Sequence, residues 1–214
     1  MVQNTKSPAC NSYHHGDLRN ALIVAAAELI AENGSLDFAL IDAARRAGVS
    51  SAAPYRHFKD KDALLEAVTQ VAFMALAELT RGVANSTAPG SVESIIAQGQ
   101  SYIGFVRDHP EFYDLMWGET GFRAMGSQDM ELKTAGFHVL VDTVQTWCDN
   151  NRLDDYDALE LAVKLWSTAH GLASLAMNRS INRFLPEADV DKLLESSTRT
   201  FLEGVLRDCG QRTG

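Results

Sequence analysis

The feature that most constrains the fold is a segment predicting two short helices joined by a tight turn, with a third helix directly after. It runs from residue 38 to 65 and reads FALIDAARRAGVSSAAPYRHFKDKDALL. Apolar side chains recur at helical spacing at its start, so the first helix, of about two turns, buries one face. Those side chains are Leu40, Ala43, Ala44 and Ala47.

The turn chemistry supports the same prediction. Gly48 follows the first helix, where a left-handed residue commonly ends a helix and glycine accepts that conformation without a steric penalty. Ser50 is predicted to cap a second helix at about Ser51 to His57. The segment is therefore predicted to be a helix-turn-helix, the motif that places its second helix in the major groove of DNA. The alternative is a buried two-helix corner that does not bind DNA.

This segment resembles the N-terminal domain of the tetracycline-repressor (TetR) family of bacterial transcription regulators. The resemblance rests on Ala44 to Ser50 and on Tyr55 to Leu65, and it extends upstream over Leu18 to Gly34 as the first helix of that domain. It implies an all-α, two-domain protein that binds DNA. The candidate DNA-contacting residues are Arg45, Ser50, Ser51, Ala52, Tyr55, Arg56, His57, Lys59 and Lys61.

Two positions depart from the pattern of that family. Ala39 stands where the family usually has Ser or Thr, so Asp42 has no hydroxyl partner for a capping box. Pro54 lies early in the predicted second helix and has no N–H to donate to the Ser50 carbonyl, so that helix is expected to start late or bend.

A second informative segment lies near the C-terminus, at Lys164 to Leu175. Trp166 and His170 are four residues apart on one predicted helix face, and Gly171 permits close approach of another helix. Together with His109 to Trp117, this segment resembles the TetR subgroup whose C-terminal domain carries a Trp-His-Gly pattern. The resemblance implies a homodimer formed by the last two long helices and an internal cavity for a small effector.

Aromatic and methionine side chains supply the candidate lining of that cavity, although core packing and a satisfied core histidine are the plain alternatives. An apolar or aromatic effector is expected, because Arg107, Arg123 and Lys133 fall at predicted helix ends or loops and no cationic cluster is evident. The candidate ligand-binding residues are Tyr102, Phe105, Met116, Trp117, Phe122, Met125, Phe137, Trp166 and His170.

Helical periodicity continues to the end of the chain without a credible strand. A linking helix is expected from Lys61 to about residue 82, followed by a loop at Asn85 to Gly90 and helices at about 91–107, 110–117, 128–150, 155–180 and 189–209. The predicted organisation is a disordered tail at 1–12, a DNA-binding domain at 13–66 and a ligand-binding and dimerisation domain at 91–210. Acidity is concentrated after residue 70, with 12 Lys and Arg against 20 Asp and Glu, and this discourages non-specific DNA binding.

Other functional classes find little support. The sequence has no phosphate loop and no nucleophile elbow, so neither an enzyme nor a cofactor is expected. His14, His15 and Asp17 could bind a metal, but a solvated or DNA-facing pair is favoured. The chain begins without an export signal and has three isolated cysteines, which suits the cytoplasm. The predicted function is a repressor released from a palindromic operator by an effector. The alternatives are a protein-interaction module of the same fold and, third, a small all-α enzyme.

Overall fold

The computed structural model describes residues 15–118 and 130–212. Over these residues the chain is entirely helical, which confirms the predicted all-α class, and it divides into two compact units between Val68 and Thr69. Several sequence predictions lie outside the described residues: the tail at 1–12, the His14 part of the metal alternative, and the ligand candidates Phe122 and Met125.

The first unit contains α1 (His15–Asn33), α2 (Leu40–Arg46), a single 3₁₀ turn (Pro54–Arg56) and the beginning of α3 (Lys61–Asn85). Three α1 residues at four-residue spacing are fully buried, and they build the core of this unit together with apolar residues from the other elements. These α1 residues are Leu22, Ala26 and Ile30, and the other elements contribute Ala43, Phe58 and Leu64.

The predicted turn after α2 is confirmed. Gly48 has a φ of 69°, its N–H donates to the Arg45 carbonyl at 3.2 Å, and the N–H of Val49 donates to the Ala44 carbonyl at 3.0 Å. This pair of bonds is the Schellman arrangement, which satisfies carbonyls that the end of a helix would otherwise leave free. A side chain at residue 48 would strain the turn, and glycine avoids that strain.

The predicted helix at Ser51 to His57 is wrong in extent and type. The structure has only the 3₁₀ turn Pro54–Arg56, and the N–H of Ala53 donates to the Ser50 carbonyl at 2.9 Å in a preceding turn. Pro54 explains the difference, because a residue without an N–H cannot continue the α-helical ladder back to Ser50. Ala53 therefore precedes the helical turn, and Ser50 is not its cap.

Within its described residues, 69–118 and 130–212, the second unit contains the rest of α3 and six further helices. These are α4 (Val92–Asp108), α5 (Pro110–Trp117), α6 (Met130–Asn150), α7 (Ala158–Met177), α8 (Ser180–Phe184) and α9 (Val190–Arg212). Helices α4, α6, α7 and α9 pack against one another as a bundle. One buried cluster centres on Val144, Trp147, Leu161 and Leu202, and another on Phe73, Tyr102, Val106 and Met116.

Two features of this unit differ from the sequence prediction. Helix α3 continues to Asn85 rather than ending near residue 82, and α8 was not predicted. Helix α3 is also long and apolar enough to cross a membrane by composition alone, although no such span was expected from the sequence. More than half of its apolar stretch is buried inside the protein, which is typical of a core helix in a soluble protein.

Candidate functional site

The first candidate site is an exposed surface in the N-terminal unit, which we call the reading turn and define as Ser50 to Lys59. Ser51, Ala52 and Arg56 are exposed, and Tyr55 retains 63% of its accessible surface. Pro54 is buried, and Phe58 is only 3% exposed. These two buried residues fix the backbone on either side of Tyr55 and Arg56, so that the polar side chains point outward.

Besides Arg56, two further cations are exposed to solvent, one in the reading turn and one on α2. The Lys59 side chain is 91% exposed, and its ammonium lies 3.9 Å from the Asp60 carboxylate. The Arg45 side chain is 76% exposed and lies 3.2 Å from the Asp42 carboxylate. Exposed ion pairs of this kind are weak in water, so both cations remain suitable partners for DNA phosphates.

Lys61 has a different environment, although it belongs to the same predicted set. Its Nζ donates to the Leu36 carbonyl at 2.5 Å and lies 4.8 Å from the centroid of the Phe38 ring. The ammonium group therefore ties the first turn of α3 to the loop before α2. His57 is half-buried at the end of the reading turn.

The start of α2 lacks one capping hydrogen bond because residue 39 is an alanine. The Asp42 carboxylate accepts the N–H of Ala39 at 2.9 Å, which is one half of a capping box. The other half requires a hydroxyl at residue 39, and the methyl group of Ala39 cannot accept a hydrogen bond. The same helix is held by Arg46, which pairs with Glu28 and Glu32 of α1 and lowers the pKa of Glu32 through its hydrogen bond.

The second candidate site is a cavity within the C-terminal unit. The cavity volume is about 70 Å³, within about 720 Å³ of empty space that includes open solvent. Aromatic and aliphatic side chains dominate its lining, as is typical of small-molecule sites. The lining includes Phe73, Gln98, Tyr102, Trp117, Lys133, Phe137 and Trp166.

The structure brings four of the predicted ligand residues to this cavity: Tyr102, Trp117, Phe137 and Trp166. Phe105 instead contacts the ring of His109, with 5.3 Å between centroids, and Met116 is buried in the adjacent core cluster. Sequence reasoning did not select Gln98. Its position four residues before Tyr102 on an amphipathic helix was the available signal.

Lys133 requires a correction to the sequence analysis. It lies at a helix end as predicted, in the first turn of α6, but it is 6% exposed and lines the cavity from which the sequence prediction excluded it. Among the lining residues of the described chain, Lys133 alone is charged. The prediction that no cation lies at the cavity is therefore wrong.

His170 lies at the centre of a polar chain among aromatic rings. Its Nδ1 is 2.7 Å from the Tyr102 hydroxyl, and its Nε2 is 3.1 Å from the Tyr113 hydroxyl. The rings of Trp117 and Trp166 lie 5.3 and 5.1 Å from the His170 ring, centroid to centroid. In neutral imidazole one nitrogen donates and the other accepts, so one tyrosine donates to His170 and the other keeps its own O–H free to donate elsewhere.

Protonation of these groups is shifted by burial. Burial lowers the pKa of His170 from its ordinary value of 6.5 and raises the pKa of Tyr102 well above its ordinary range. At neutral pH both side chains are therefore uncharged.

We expect acid to destabilise the protein through His170. Because its folded pKa is below the unfolded value, the stability it contributes is fully present above about pH 6.5 and is lost as the pH falls through the folded pKa. Between about pH 7.5 and pH 5, the melting temperature of the wild type should fall more steeply than that of His170→Gln. Parallel curves for the wild type and His170→Gln would contradict this assignment.

Comparison with known proteins identifies the family. Residues 22–68 match the model described as bacterial regulatory proteins, tetR family, and residues 95–201 match the tetracyclin repressor-like C-terminal domain. The second match alone spans half of the chain. The chain therefore belongs to the TetR family, and it is a DNA-binding transcriptional regulator. No curated protein matches it.

Solved structures share the fold over nearly the whole chain. A protein of unknown function from Rhodococcus sp. RHA1 is 28% identical, with a TM-score of 0.73, over 91% of this chain and 98% of that chain. A putative transcriptional regulator from Pseudomonas aeruginosa PAO1 is 18% identical, with a TM-score of 0.67 and coverages of 91% and 92%. A TetR/AcrR-family regulator from Thermobifida fusca YX-ER1 is 20% identical, with a TM-score of 0.61 and coverages of 89% and 97%.

Proposed function

We propose that this regulator is a cytoplasmic repressor that binds a palindromic operator as a homodimer and is released by a small apolar or aromatic effector. The observation that carries the proposal is the cavity lined by Trp117, Phe137 and Trp166 in a chain that also contains a helix-turn-helix. A regulator that only tethered DNA would gain nothing from a cavity of this composition in its second unit.

The reading turn is the proposed DNA contact. Ser51, Ala52 and Tyr55 are assigned to the major groove, where they set sequence preference. Ser50, Arg56, His57, Lys59 and Arg45 are assigned to the phosphate backbone or to the groove edges. We assign Lys61 a positioning role, because its ammonium group already binds the Leu36 carbonyl.

Dimerisation is proposed along α7, with α9 beside it. Three large apolar side chains on α7, Leu159, Val163 and Leu175, are each more than 40% exposed. A Cβ added at Gly171 would meet no atom within 4 Å, so no other part of the described chain fills the space beside this residue. Gly171 and Leu175 lie one turn apart on α7, so a second copy packed there would bury Leu175 and could approach closely at the glycine.

Effector release is proposed to act through α3. This helix begins at Lys61 beside the reading turn and supplies Phe73, Leu76 and Thr80 to the cavity. An effector that fits better when α3 is displaced would favour a spacing of the two reading turns that no longer matches successive major grooves. Linkage then requires operator DNA to weaken effector binding by the same factor.

A salt titration of DNA binding tests the phosphate assignment. Lys59→Ala should weaken binding to all sequences similarly and should reduce the slope of log K against log salt by about one, because each neutralised phosphate releases about one counterion. Fluorescence anisotropy with labelled duplex DNA from about 50 to 200 mM salt measures that slope.

The comparison variant is Lys61→Ala. It removes a structural tether, so it should lower the melting temperature, whereas Lys59→Ala should leave the melting temperature unchanged. An unchanged salt slope in Lys59→Ala would remove Lys59 from the interface.

A further inference from the structure

Gln98 lines the cavity and carries a buried acceptor without a hydrogen-bond partner in the described chain. Gln98 is 3% exposed and lines the cavity from α4. Its Nε2 donates to Thr143 Oγ1 at 2.8 Å and also lies 3.4 Å from Ser94 Oγ. Its Oε1 is buried and has no hydrogen-bond partner in the described chain. A buried carbonyl oxygen without a partner is costly, because folding removes it from water and returns nothing.

The surrounding hydrogen bonds fix the orientation of this amide. The Thr143 hydroxyl donates its own proton to the Val139 carbonyl at 2.9 Å, so towards Gln98 it can only accept. The group facing Thr143 must therefore be the amide nitrogen. Rotating the amide by 180° would require the Thr143 hydroxyl to give up its bond to the Val139 carbonyl, so the arrangement that keeps both bonds leaves Oε1 as the unpaired atom.

The neighbouring cavity wall is apolar and aromatic. Tyr102 lies one helical turn after Gln98 on α4 and also lines the cavity, while Phe137 and Trp166 supply broad apolar faces. The cavity wall therefore combines aromatic surface with a glutamine whose amide oxygen is unpaired.

We infer that the effector carries a hydroxyl or N–H group that donates to Gln98 Oε1, on an aromatic body that packs against Phe137 and Trp166. The inference rests on the proposed effector function and narrows it to a neutral aromatic alcohol or a similar donor. A carboxylate is disfavoured at this position, because its oxygens would face another acceptor. Lys133 at the cavity wall makes a carboxylate the alternative that the experiment must separate.

Calorimetric titration with three naphthalene probes tests the inference. The probes are 2-naphthol, which has a donor, 2-methoxynaphthalene, which lacks one, and 2-naphthoate, which is an anion. Wild-type protein should bind 2-naphthol about tenfold more tightly than the ether, since an unpaired buried acceptor costs about that factor. Gln98→Met should bind 2-naphthol and 2-methoxynaphthalene with about equal affinity. The ether is slightly larger than 2-naphthol, and its size could lower its affinity in both proteins. The test therefore compares the ratio of the two affinities in the wild type with the same ratio in Gln98→Met.

Two controls separate a recognition role from a structural one. Thr143→Ser keeps the hydroxyl that accepts from Nε2 and so keeps the orientation of the amide, so it should keep the preference for 2-naphthol. Gln98→Met removes an unpaired acceptor and should leave the melting temperature within about 3 °C of the wild-type value. A large loss of stability in Gln98→Met would instead assign Gln98 to the core.

Several results would overturn the inference. These are an equal preference in wild type and Gln98→Met, tighter binding of 2-naphthoate than of 2-naphthol, or no binding of 2-naphthol up to its solubility limit. A separate result would contradict the proposed function. If any of the three probes binds, and operator DNA does not change its affinity, the cavity does not control the reading turn.

Discussion

Leu175→Glu should convert the dimer into a folded monomer and should lower operator affinity by about 100-fold or more. Leu175 is 47% exposed on α7, beside the open position of Gly171. A stable dimer of this kind buries roughly 2,000 Å² or more, and a carboxylate at its centre would be desolvated without a partner. A monomer presents one reading turn and loses the gain in affinity that comes from linking two binding modules.

Sedimentation at micromolar concentration and DNA titration check both parts of this prediction. Leu79→Glu is the matched control, because Leu79 is 41% exposed but lies on α3, away from the proposed interface. It should remain dimeric and bind DNA as the wild type does. A monomeric wild type, or a dimeric Leu175→Glu protein, would exclude this face of α7 as the interface.

The second large effect is expected from Phe58→Ala, which should unfold the DNA-binding unit and leave the effector-binding unit folded. Phe58 lies within the reading turn and is 3% exposed, and the Arg19 guanidinium lies 5.4 Å from its ring centroid. Truncating a buried phenylalanine costs about 3–5 kcal/mol. That is a large part of the roughly 5–15 kcal/mol that stabilises a typical domain.

The position of the tryptophans makes this outcome measurable. All three, Trp117, Trp147 and Trp166, lie after the boundary at Val68, so tryptophan emission reports only on the C-terminal unit. Phe58→Ala should lose DNA binding and part of its helical signal while its tryptophan emission stays native. Phe184→Ala, at a phenylalanine that is 84% exposed, should change none of these signals. Retention of operator binding by Phe58→Ala would show that the reading turn does not depend on this core contact.

Much of the fold could be predicted from local patterns. Helix α2, the left-handed Gly48 and the long α3 follow from apolar periodicity and turn chemistry, which act over a few residues. The predicted second motif helix was wrong because one missing N–H at Pro54 outweighed the surrounding helix-forming residues. The short helix α8 was missed because it begins after Arg179, a non-glycine residue with a φ of 54°. Sequence does not mark such a residue as left-handed.

The site was less predictable than the fold. Tyr102, Trp117, Phe137 and Trp166 could be chosen by residue type, but Lys133 and Gln98 could not. Whether a lysine near a helix start is exposed or buried depends on how neighbouring helices pack. Whether a glutamine oxygen is paired depends on Thr143, which lies 45 residues away in sequence.

We propose a dimeric repressor whose cavity controls its DNA binding. The most direct test of this proposal is to select a binding site from random duplex DNA and then titrate operator binding with and without a cavity ligand. We expect the selection to recover an inverted repeat with half-sites about one helical turn apart, bound by two protomers. We also expect the ligand to weaken operator binding by the factor by which operator weakens ligand binding. Recovery of no preferred sequence, or operator affinity that the bound ligand leaves unchanged, would contradict the account.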